Sequence, residues 1–210
     1  GLKDRRAVTR QFVSVPAACA DRIGEVDTEN IHVLRHALHG NKLRTGHSRG
    51  NRFSIRIRDV SDDATELAEA VRLRILESGF PNDFGSQRFG IDNETLALGL
   101  ALLKGSKRPK DIPGSRRRFL LKFALSAAQS YLFNRALADR LNDGLIDQVL
   151  AGDVMQVVAS GGPFVVEDVE REQGRLNQRE TAITGPMFGP KMRSPVDDPA
   201  ERELRVLEAC

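Results

Sequence analysis

The most regular alternation of apolar and polar positions in the chain runs from Arg52 to Arg58. Phe53, Ile55 and Ile57 fall on one side, and Arg52, Ser54, Arg56 and Arg58 on the other. A period of two predicts a strand with an apolar back and a basic front. Ile31–His39 alternates as well, with Ile31, Val33 and Ala37 opposite His32, His36 and Leu38. Gln11–Val15 is rich in β-formers and stops at Pro16, so it is read as a third strand. The segment HGNKLRTGHSRGN, which joins Ile31–His39 to Arg52–Arg58, holds three glycines and few apolar residues, as a long functional loop does.

A helical period takes over after Ser61. Ser61 or Asp62 is expected to cap a helix whose buried stripe is Leu67, Ala70, Val71 and Ile75, and Gly79 and Pro81 end it. The stretch FPNDFGSQRFG is too rich in Gly, Pro and Asn to be regular, although it carries three phenylalanines. Thr95–Lys104 reads as helix. A longer helix is expected from Arg116 to about Leu141 with Ser115 as cap, lined by Leu121, Leu125, Ala128, Leu132 and Ala136. Val154–Val158 and Phe164–Val166 are β-like and flank the turn Ser160-Gly161-Gly162-Pro163; the polar stretch 167–180 carries no assigned element. The closing ERELRVLEAC reads as an unfinished helix, and the first residue is Gly1, so both ends read as cut.

Composition narrows the class. With 210 residues, 40% hydrophobic and 29% charged, the chain can build one sizeable core or two small ones. No apolar run approaches the roughly 18 residues of a membrane span. The two cysteines, Cys19 and Cys210, give neither a disulfide framework nor metal-ligand spacing, as expected of a reducing cytoplasm. Net charge is only +3, but its distribution is uneven. From Asn30 to Arg58 there is no Asp or Glu, where the overall composition would place roughly four. Such a window attracts phosphate, although a solvated basic face has the same composition.

Candidate chemistry is sparse. His32, His36, His39 and His47 cluster, yet no carboxylate or cysteine beside them completes a ligand set, so no metal is expected. There is no G-x-S-x-G elbow and no Walker lysine–hydroxyl pair. Asp4 lies among Lys3, Arg5 and Arg6, which favour its ionised form. An ionised carboxylate in a basic site can serve as nucleophile or base; the same spacing also fits a turn aspartate.

Five stretches in order, GLKDRRAVTRQ, HGNKLRTGHSRGNRF, PNDFGSQRFG, LSAAQSYLFN and TGPMFGP, resemble the TruD-type tRNA pseudouridine synthases over nearly the whole chain. The resemblance implies an α+β fold in which a mixed or antiparallel sheet with helices, of pseudouridine-synthase type, carries a mainly helical inserted domain. Residues 1–85 would be part of the catalytic domain and residues 86–210 an incomplete inserted domain. In that family an upstream segment with a basic residue near the catalytic acid, and a C-terminal return, complete the catalytic domain. The implied activity is isomerisation of a tRNA uridine, typically uridine 13, to pseudouridine without a cofactor. The aspartate of the family's G-x-K-D motif matches Asp4, and the asparagine and phenylalanine of its G-N-x-F motif match Asn51 and Phe53 in substrate-base binding.

Lys3, Arg5, Lys42, Arg44, Arg49, Arg52 and Arg56 would grip the RNA. For Gln87 and Arg88, RNA contact stands beside a structural role in tying the two domains together. The expected partner is tRNA, bound by a cytoplasmic monomer with no membrane and no metal. A non-catalytic RNA-binding module is the alternative from another class.

Overall fold

The computed structural model describes residues 7–44, 47 and 50–210. It divides the chain into two compact units, 1–65 and 66–210.

In the first unit, residues 17–26 form a run of 3-10 helix and Thr28 bridges Ile31. The three strands expected at 11–15, 31–39 and 52–58 are absent from the described residues of this unit. Alternation alone does not make a strand; the ladder needs a partner segment, and a strand without one is not stable in water. Phe53, Ile55 and Ile57 are all more than three-quarters exposed.

The second unit is built around a helix pair. Helix α1 spans Ala64–Ser78, α2 Glu94–Leu103 and α3 Arg117–Asn142. All three were legible from their periodicity, with ends shifted by no more than two residues. The α3 N-cap is Arg116 rather than Ser115, and no side chain caps it. Helix α1 differs from expectation in its packing: Leu67, Val71 and Ile75 remain exposed. Gly79 ends it in the left-handed region at φ +78°, and the Leu76 carbonyl accepts a hydrogen bond of 2.9 Å from Arg179.

Helices α2 and α3 touch at Gly99, where an added Cβ would lie 2.2 Å from the Ala124 carbonyl oxygen. Ala124, Ala127 and Ala128 are fully buried on the facing stripe. Small residues on both sides bring the backbones close, as ridge-into-groove packing requires.

A three-stranded antiparallel sheet follows, with β1 Val154–Val157 in the centre, β2 Pro163–Val165 on one side and β3 Thr181–Ile183 on the other. The register pairs Met155 with both Phe164 and Ile183. Fully buried Met155 packs with Val149, Val166, Phe164, Leu176 and Ile183. The fold is thus α+β, but its sheet comes from residues 154–183, not from the alternating segments near the start.

Helix α4, Val169–Asn177, is capped by the Asp168 carboxylate, which accepts from the Arg171 amide at 3.0 Å. Its buried Glu172 is held by Arg171 at 2.7 Å and Arg175 at 2.8 Å. Helix α5, Asp197–Glu208, packs on α3, and Arg202 ties Asp198 to Asp143. Gly152 makes room for this return: at φ +83°, its Cβ would sit 2.3 Å from the Val196 carbonyl oxygen.

Under α5 lies a buried ion pair. Asp153, 2% exposed, receives two hydrogen bonds from Arg140, at 2.7 and 2.8 Å, and one from the Leu150 amide at 2.8 Å. Arg140 also donates to the carbonyls of Leu145 and Gln148. Both charged groups thereby exchange water for several protein partners, the condition under which a buried pair is tolerated. No helix is long and apolar enough to cross a membrane among the described residues, and no group of three or more His, Cys, Asp or Glu is placed to hold a metal ion there.

Candidate RNA-contact site

Helix α3 carries polar side chains at a four-residue spacing, Ser126, Ser130 and Asn134, so they share one face. That face holds the loop 81–90. Arg88 Nε donates to Ser130 Oγ at 2.9 Å and its Nη2 donates to Ser126 Oγ. Asn134 clamps the Phe84 backbone from both sides, accepting from its amide at 2.9 Å and donating to its carbonyl at 2.8 Å. The Arg88 guanidinium lies 5.6 Å from the Phe84 ring centre.

The neighbouring row of α3, Gln129 and Phe133, holds the second loop. Gln129 Nε2 donates to the Phe188 carbonyl at 2.6 Å. Gly185 sits against the Phe133 ring, where an added Cβ would come within 2.5 Å. Phe133 also meets Phe84 edge-on at 5.5 Å. Thr184 anchors the start of this loop by donating both its amide and its hydroxyl to the Val154 carbonyl, at 3.0 and 2.7 Å. Three stretches far apart in sequence, PNDFGSQRFG, LSAAQSYLFN and TGPMFGP, therefore converge on one helix. Ser126, Gln129, Ser130 and Asn134 had no role in the sequence reading; their spacing on a helix otherwise lined by Ala and Leu was the available signal.

Arg88 is thus tied to α3 by two hydroxyls. Gln87 is exposed, and with Gly85, Ser86, Arg88 and Phe123 it lines an open recess of about 460 Å³.

The remaining candidates lie in the first unit. Asp4, Lys3, Arg5 and Arg49 fall outside the described residues. Asn51, Phe53, Lys42, Arg44, Arg52 and Arg56 are exposed, and none of the four cations has a carboxylate partner among the described residues. Unneutralised cations on an exposed surface are free to meet phosphate. Arg35 instead lies over the Phe12 ring at 5.4 Å. One histidine corrects the sequence reading: His32 does have a nearby carboxylate, with its Nδ1 3.0 Å from Asp27 Oδ1.

The family described as tRNA pseudouridine synthase D (TruD) matches residues 1–109 and 115–210. A tRNA pseudouridine synthase D of Anaeromyxobacter dehalogenans is 42% identical over 210 residues, covering 100% of this chain and 59% of that protein. One from Thermus thermophilus is 41% identical over 209 residues, covering 99% of this chain and 55% of its own length. The chain therefore spans somewhat more than half the length of the relatives it matches. A crystal structure described as a putative tRNA pseudouridine synthase D from Methanosarcina mazei superposes with a TM-score of 0.57 at 20% identity, over 74% of this chain and 52% of that one; this likeness speaks for the fold. On the family match and the two relatives together, the chain belongs to the TruD family of tRNA pseudouridine synthases.

Proposed function

We propose that this chain forms part of an enzyme that isomerises a uridine of tRNA, uridine 13 of the D-arm region, to pseudouridine, with Asp4 as the nucleophile. The observation that carries the reading is the family match from residue 1 onward, which includes the GLKD stretch ending in Asp4. We assign residues 1–85 to the catalytic domain and 86–210 to an inserted domain.

The reaction is an isomerisation and needs no external reagent. The N1–C1′ bond breaks, the detached uracil turns, and a C5–C1′ bond forms; the proton lost from C5 is balanced by one gained at N1. A carboxylate suits this sequence because it adds covalently and still leaves readily. The target nucleotide must first leave its stack. Phe53 then supplies an aromatic platform, a contact worth about 1–3 kcal/mol per base. Asn51 offers an amide that both donates and accepts toward the uracil edge. Lys3, Arg5, Lys42, Arg44, Arg49, Arg52 and Arg56 meet the backbone, which positions RNA without selecting a base. Gln87 borders the recess as a further contact, and Arg88 holds that loop in place.

The test is pseudouridine formation on an unmodified tRNA transcript by the full-length protein. Wild type is expected to form the product and Asp4→Asn to form none while still binding tRNA. Normal turnover by Asp4→Asn overturns the nucleophile assignment. Binding without turnover by wild type leaves the RNA-binding module, which the acid-free window from Asn30 to Arg58 favours.

A further inference from the structure

The first turns of α3 carry an aromatic pair that the hydrophobic core does not use. Phe119 and Phe123 stack at 5.5 Å with an interplanar angle of 13°. Phe119 is nonetheless 66% exposed and Phe123 37%. Leaving two adjacent rings in water is costly, so the pair points to a ligand that covers it.

Charge identifies that ligand. Between Lys104 and Lys122 there are eight Lys or Arg and one acid, Asp111. Arg117 is occupied by the carbonyls of Ile112 and Lys110, and Arg108 lies 4.0 Å from Asp111. Lys104, Lys107, Lys110, Arg116, Arg118 and Lys122 are exposed, with no carboxylate partner among the described residues. Arg118 and Lys122 occupy the helix row beside Phe119 and Phe123, and Arg116 lies one turn before Phe119. Phe123 also lines the recess bordered by Gly85, Ser86, Gln87 and Arg88.

A protein partner would have to desolvate several unpaired cations around the rings, against the depletion of charge from interface centres. An RNA strand supplies both complements at once: phosphates for the cations and a base face for the ring. Aromatic platforms set in basic grooves are how unpaired nucleotides are held.

We infer that Phe119 and Phe123, with Arg116, Arg118 and Lys122, form an RNA-contact surface of unit 66–210 that stacks an unpaired nucleotide of the substrate tRNA. The inference rests on the proposed function for the identity of the RNA, but not for its class. None of these five residues is needed for the chemistry assigned to Asp4, so the surface acts in substrate capture.

The experiment uses the full-length protein and an unmodified tRNA transcript, reading direct binding, the KM for pseudouridine formation and the melting temperature. Phe119→Leu keeps size and apolarity but removes the π face; it is expected to weaken binding by about 5- to 150-fold and to raise KM more than it lowers kcat. Phe119→Trp is expected to retain tight binding. Arg118→Ala and Lys122→Ala should each reduce the slope of log affinity against log salt by about 0.7–0.9. Phe119→Leu binding tRNA as tightly as wild type overturns the inference. So does a lowered melting temperature with unchanged tRNA affinity, the result expected if another part of the protein covers the rings. If wild type binds tRNA but forms no pseudouridine, the proposed function fails while the binding series still decides this surface.

Discussion

Residues 7–65 and residues 66–210 both carry strongly patterned apolar positions, yet only the second set buries any. No described residue before Phe89 is buried. Phe53, Ile55 and Ile57 stand open on a segment with no ladder, whereas Met155, on a strand of only four residues, is fully enclosed. The difference lies in partners. Met155 has a neighbour strand on each side, and α2 packs against α3. The alternating segments of the first unit have none among the described residues. A pattern is an offer to pack; burial requires that a second surface accept it.

The largest test of this contrast breaks the second unit from within. Asp153→Ala leaves the partly buried Arg140 without its carboxylate, and loss of one partner of a buried pair costs about 3–5 kcal/mol. Chemical denaturation of the chain is expected to show that loss as a lower midpoint. An unchanged midpoint would mean that the Arg140–Asp153 junction contributes no more than the exposed pairs of the first unit do.

A smaller effect is expected with pH. Burial, and secondarily the nearby Asp153 carboxylate, raise the Glu203 pKa to about 7, with Arg140 acting in the opposite sense. A carboxyl whose folded pKa exceeds its unfolded value holds its proton more tightly when folded. Its stabilising contribution is therefore complete below about pH 4.3, the ordinary Glu value, and is lost as pH rises to about 7. Melting temperatures measured from pH 5 to 8 should fall over that window, and Glu203→Gln should flatten the fall. An identical slope in the variant would assign the pH dependence elsewhere.

The smallest effect belongs to the first unit. Ile55→Ser in this chain should change stability by less than about 0.5 kcal/mol, as surface changes do. In a protein with the full length of the relatives, the same change is expected to cost about 2–4 kcal/mol if partner strands cover that face. Equal, small effects in both would show that the alternation serves the surface rather than a core.

Much of the second unit was legible in advance. Helices α2 and α3 followed from their 3.6-residue period, and β1 and β2 from β-rich segments around the turn at Ser160–Pro163. Helix α4 was missed because its sequence, VEREQGRLN, has almost no apolar stripe. Its start signal, Asp168 followed by acidic residues in the first turn, was present. Strand β3 has only three residues, too few for alternation to register.

The candidate site was readable unevenly. The motif residues named their family, and the acid-free window named a class of partner. Arg88 could not be placed, because its fate depends on two serines 38 and 42 positions away. The stack of Phe119 on Phe123 is local, but that it remains uncovered is a property of everything packed around it.

By itself the amino-acid order determined helices α1, α2 and α3, their approximate ends and the chemistry of the quoted motifs, since a helix closes its hydrogen bonds within four residues. Tertiary structure alone decided which alternating segments became strands, which apolar stripe was buried, and which cations stayed free. Each of those outcomes depends on a second surface outside the segment itself, and no local pattern encodes it.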